Sequence, residues 1–99
     1  MPHFFLKLIP PRPSFATDMS EAEQAAMSKH ADYLLGLVEQ GIGVVFGPVF
    51  DPNGVYGMGI VEAADEAAAR RFTDNDPVVK AGIGRYEISP MRLSMLRKH

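Results

Sequence analysis

At 99 residues, 46% hydrophobic and 22% charged, the chain has the size and composition of one globular domain. Its net charge of −2, without a basic stripe, offers nothing to nucleic acid or an anionic membrane surface. The absence of cysteine excludes disulfides, thiolate metal sites and cysteine nucleophiles.

His3 to Ile9 is a short apolar run rich in aromatics and bounded by Pro10-Pro11, which predicts a strand. It is too short for the core of a signal peptide. No other stretch approaches the roughly 20 apolar residues of a membrane span, so a cytoplasmic protein is expected. PPRPSFATD then reads as a stiff loop, because prolines 10, 11 and 13 remove backbone donors. A helix is expected from Ser20, which forms a capping box with Glu23, to a stop at Gly41.

IGVVFGPVF (42–50) is a second strand, and Pro48 within it argues for an edge or a bulge. DPNG (51–54) has turn chemistry, and VYGMGIVEA (55–63) returns as a third strand, antiparallel to the second. DEAAARRFTDN (65–75) is a shorter helix that Asp65 can cap, and GRYEIS (84–89) is a last strand before Pro90. Residues 91–99 form a C-terminal tail with basic Arg92, Arg97, Lys98 and potentially His99.

The order β-α-β-β-α-β is that of an α+β, ferredoxin-like fold: a four-stranded antiparallel sheet with two helices on one face. The strands are apolar on both sides, however. Phe4, Leu6 and Leu8 oppose Phe5 and Ile9, and Tyr56, Met58 and Ile60 oppose Val55 and Val61. A sheet with helices for only one such face needs a partner, most simply a homodimer through the other face.

One residue of the long helix is out of pattern. At about 100° per residue, His30 falls among Ala26, Met27, Ala31, Tyr33, Leu34, Leu37 and Val38 on the apolar face. A histidine there is either a satisfied core residue or a group addressing a cavity. Asp76 can cap the turn Pro77-Val78-Val79-Lys80, with Gly82 beyond it. Yet Asp74 and Asp76 crowd the C-terminal end of the preceding helix, where negative charge is disfavoured, and this suggests a second task.

Taken together, FFLKLIPPRP, KHADYL, the passage from EQG to FGPV, and DNDPVVKAG before RYEISP resemble the YciI-like (YCII domain) family over essentially the whole chain. The resemblance implies a dimeric α/β barrel, two ferredoxin-like sheets packed face to face. It also implies a site built on one histidine and one aspartate, which map to His30 and Asp76. Some relatives act on intermediates of aromatic-ring breakdown.

The expectation is then a small homodimeric enzyme acting on a small organic molecule. His30 would be general acid/base, oriented by Asp76, in isomerase- or lyase-type proton transfer without cofactor or metal. The pocket is expected between the long helix, the proline-rich loop and the sheet. Around the pair, Arg12, Ser14, Phe15, Tyr33 and Asp51 are candidate ligand-binding residues. Each has a plainer role: Arg12 as a solvated loop cation, Ser14 as a serine with no base beside it, and Asp51 as part of the DPNG turn. No GxGxxG follows a strand, and His3, His30 and His99 lack metal-ligand spacing. The alternative is a non-catalytic dimeric module that binds a small metabolite, or, further off, a structural subunit.

Overall fold

The computed structural model describes residues 1–98 as β1 (His3–Ile9), α1 (Phe15–Asp18), α2 (Glu21–Glu39), β2 (Gly43–Asp51), β3 (Gly54–Glu62), α3 (Glu66–Asp74), α4 (Pro77–Lys80) and β4 (Arg85–Met91). The strands form one antiparallel sheet in the order β2-β3-β1-β4. That is the ferredoxin-like order. The expected position of His99 lies outside the described residues.

The long helix starts and stops as its sequence dictates. The Ser20 side chain accepts from the Glu23 N–H at 3.1 Å, and the Glu23 carboxylate accepts from the Ser20 N–H at 2.8 Å. At the far end Gly41 takes φ +79°, the left-handed conformation that only glycine adopts without strain.

Two expectations need correction. The proline-rich segment is not loop throughout: beyond Pro13 no proline blocks the backbone, and Phe15–Asp18 closes one helical turn. The last strand does not stop before Pro90 but runs through it to Met91. Because β4 is an edge strand paired only with β1, a residue without N–H can sit there with no ladder bond lost on its free side. Pro48 occupies the other edge strand, β2, while the register shift lies between Gly43 and Val45.

Side chains alternate across the sheet. Phe4, Leu6, Leu8, Val61 and Ala63 are buried beneath the helices with Ala69 of α3. On the β2-β3 side the same face carries glycine: Gly59 is paired with Leu6 and Gly57 with Leu8. These glycines leave room, and the Phe46 ring lies over Gly59. Both glycines border a cavity that α2 also lines.

The helix-free face has an apolar centre of Phe5, Met58 and Ile60, with Val45 and Val49 on the β2 edge. It is more polar than the sequence pattern suggests. Lys7 Nζ lies 4.6 Å from the Tyr56 ring centroid, His3 stands 3.6 Å from Glu62, and Arg85 3.4 Å from Glu87.

Candidate active site

Asp76 is a short polar residue at the junction of two helices, and its surroundings leave it no access to water: its exposure is 0%. Its backbone is extended (ψ 129°), so it follows Asn75, the C-cap of α3, and begins α4 as N-cap, with Pro77 at the first helical position. Here a negative charge sits at the start of a helical turn as well as near the end of the preceding one, which removes the apparent misplacement seen in sequence.

The two carboxylate oxygens divide the work. Oδ1 accepts from the Val78 N–H at 3.0 Å, and Oδ2 accepts from His30 Nδ1 at 2.7 Å and from the Tyr86 hydroxyl at 2.7 Å. A buried carboxylate without partners would be strongly unfavourable; this one has three donors. Burial first, and then the charge of Asp76, push the Tyr86 phenol well above the usual tyrosine range, so it remains an O–H donor. The Tyr33 phenol is raised too, by burial and then by Asp76.

With Nδ1 held by Asp76, the ring presents Nε2 on its other side. Among the described residues nothing hydrogen-bonds Nε2, and no buried side-chain nitrogen or oxygen lacks a partner, so Nε2 has access to the adjacent space. That space is a cavity of about 580 Å³ bounded by the long helix, the proline-rich segment and the β2-β3 half of the sheet. It falls within the range of small-molecule sites. Its wall includes Met27, His30 and Leu34 of α2, Pro10, Pro11 and Phe15 of the entry segment, and Tyr86 of β4. Among the described residues no lysine, arginine, aspartate or glutamate lines it.

The expected site residues therefore separate into groups. His30 and Asp76 meet, although 46 positions apart, and Phe15 joins them as a buried part of the cavity wall. Tyr33 is close behind but turned away, its hydroxyl donating to the Phe72 carbonyl at 2.7 Å, and it does not line the cavity.

Arg12, Ser14 and Asp51 do not line this cavity. Arg12 is bidentate to Glu23, with both contacts at 2.8 Å, and bonds Asp18 Oδ1 at 2.8 Å. The Ser14 hydroxyl donates to Asp18 at 2.6 Å. Asp51 closes the turn by accepting from the Asn53 N–H at 2.8 Å. In each case a nearby charge or free backbone donor satisfies the side chain locally.

Tyr86 was missed by sequence reasoning. It does carry a signal: it alternates with Ile88 on the inward face of β4, and a buried tyrosine hydroxyl requires a partner. Among the described residues no three histidine, aspartate or glutamate side chains are gathered as metal ligands would be, and no helix is long and apolar enough to cross a membrane.

Three comparisons bear on this geometry. The family described as the YCII-related domain matches residues 3–92, almost the whole chain. No curated protein matches. Among solved structures, 5-chloro-2-hydroxyhydroquinone dehydrochlorinase from Burkholderia phenoliruptrix, in complex with 2,5-dihydroxybenzoquinone, superposes with a TM-score of 0.64. It is 22% identical, and the match covers 90% of this chain and 93% of that one. At that identity the likeness is one of fold.

Proposed function

The chain belongs to the YCII-related domain family, and from that premise we propose that it is a small-molecule enzyme whose His30 serves as general acid/base, oriented by Asp76. The observation that carries this reading is the 2.7 Å contact between His30 Nδ1 and a fully buried carboxylate, at the wall of an otherwise apolar cavity. Asp76 holds the proton on Nδ1, which leaves Nε2 to take a proton from a ligand. The carboxylate stabilises the imidazolium that forms, and Nε2 returns the proton to a second position or a leaving group. The dry walls strengthen each of these interactions. The chemistry is isomerisation or elimination. The neighbour of similar fold, named as a dehydrochlorinase in complex with a dihydroxyquinone, supports that class.

Solvent-exchange NMR in D₂O tests it. The purified protein is incubated with chlorinated hydroquinones and hydroxyquinones, and deuterium incorporation and chloride release are followed. Exchange or elimination is expected with the native protein and lost in His30→Ala, with the fold retained. Turnover that survives in His30→Ala refutes the assignment. Saturable binding without exchange favours the alternative, a non-catalytic binding module.

The same reading includes self-association through the helix-free face. Its support is the apolar centre of Phe5, Val45, Val49, Met58 and Ile60, an arrangement that water does not reward. A stable pairing should bury more than about 1,000 Å² in total. Sedimentation velocity at micromolar concentration should show a dimer, and Ile60→Glu a monomer. A native monomer refutes the pairing.

A further inference from the structure

We propose that the inner end of this cavity selects uncharged molecules bearing hydroxyl groups over carboxylates and phosphates, with Tyr86 as the specificity-determining residue. The inference rests on reading the cavity as the ligand site, and it follows from counting where protons are.

Tyr86 has one hydroxyl proton, and that proton is committed to Asp76 Oδ2 at 2.7 Å. The phenol oxygen can therefore offer the cavity only lone pairs. His30 is in the same position. Its Nδ1–H is directed at the same oxygen, so in the neutral ring Nε2 is an acceptor. Both residues line the cavity, whereas Asp76, which receives the two protons, does not.

Two acceptors anchored on one carboxylate oxygen are thus the polar side-chain groups presented there. Tyr56 also borders the cavity, but strand alternation puts its ring on the opposite face of the sheet, beneath Lys7. The remaining lining side chains are apolar.

Among the described residues no lysine or arginine lines the cavity to compensate an anionic ligand. Arg12 is engaged by Glu23 and Asp18 outside the lining, and Lys7 is across the sheet. A carboxylate entering the cavity would lose its hydration and meet two lone pairs. An uncharged hydroxyl would instead donate to one of them while its carbon frame fills the apolar volume.

The test uses three rings of similar size at pH 8, above the ordinary imidazole range and below that of phenols. They are resorcinol, 1,3-dimethoxybenzene and benzoate. Titrations of the ¹⁵N-labelled protein are followed at the amides of Gly57, Gly59, Ile83 and Gly84, which border the cavity. Resorcinol should saturate these shifts. Dimethoxybenzene, which accepts but cannot donate, should bind roughly tenfold more weakly or less, and benzoate should leave the amides unmoved.

In Tyr86→Phe the preference for resorcinol over its dimethyl ether should fall several-fold while the affinity for the ether is retained, a ratio that general loosening of the fold would not change. Equal binding of resorcinol and the ether by the native protein overturns the proposal, as does tighter binding of benzoate or the absence of any ring from the cavity. Selectivity is read without turnover. Selective binding of these rings, with no exchange or elimination on the hydroquinones and hydroxyquinones, would count against the acid/base reading alone, and turnover of carboxylate substrates against the ligand class alone.

Discussion

Replacing Asp76 with alanine is expected to be among the most damaging single changes in this chain, and the structure sets its size. Three donors converge on the carboxylate: the Val78 N–H, His30 Nδ1 and the Tyr86 hydroxyl. Loss of the cap alone costs about 0.5–2 kcal/mol. Each side-chain hydrogen bond to a charged group contributes roughly 1.5–3 kcal/mol.

The full sum is not lost, for two reasons. The imidazole can move its proton to Nε2, where the cavity is accessible, and can then accept from Tyr86. Removing a buried carboxylate also relieves the cost of having desolvated it. A net loss of roughly 3–4 kcal/mol remains. This is a large share of the ~5–15 kcal/mol typical of a domain.

Asp76→Asn keeps the shape and one carbonyl oxygen, but its NH₂ must face a donor on the other side. If the amide oxygen serves His30 and Tyr86, the Val78 cap is lost, and the expected cost is about 1–3 kcal/mol. Urea unfolding at fixed protein concentration, with tryptophan-free detection by circular dichroism, gives both values. An Asp76→Ala variant within about 1 kcal/mol of the native protein, at unchanged m-value, would refute the view that this carboxylate organises the site.

The Arg12 cluster predicts a pH dependence. The Arg12 guanidinium, and then the Ser20 N–H, hold the Glu23 carboxyl down to about 2, and the Ser14 hydroxyl and Arg12 lower Asp18. A depressed carboxylate contributes stability that is present above its unfolded value, near 4.3 for glutamate, and lost as pH falls through the folded one. The melting temperature should therefore fall between roughly pH 4.5 and 2. The gap between native protein and Arg12→Gln, seen at neutral pH, should close over the same window; a gap that stays constant contradicts the ion-pair account. Gly59→Ala would place a methyl inside the volume of the Phe46 ring. Thermal melts should show a loss of about 1–3 kcal/mol, together with displaced Phe46 resonances; an unperturbed melt would mean that the ring is not seated over this glycine.

Local chemistry was legible in the sequence wherever it acts over a few residues. Ser20 with Glu23, Asp65, Asp76-Pro77 and Gly41 mark helix ends because a cap joins a side chain to backbone two or three positions away. The alternation in β1 and β3 identified strand faces, and the order of elements limited the sheet to the ferredoxin-like arrangement. His30 was conspicuous because an imidazole interrupts an apolar helical face.

Tertiary structure decided which polar groups meet. Nothing local to Arg12 says that two carboxylates will reach it before any ligand can, since Glu23 comes near only when α2 folds back against the entry segment. Nothing local to Tyr86 says that its hydroxyl will share an oxygen with His30, because β4, α2 and the start of α4 converge only in the folded chain. Part of the cavity wall, where glycines 57 and 59 lie opposite Leu8 and Leu6 and the Phe46 ring lies over Gly59, depends on a register between strands some fifty residues apart in sequence. Hydrogen bonds and packing act over ångströms of space, and sequence reports that distance only where the chain is short between the partners.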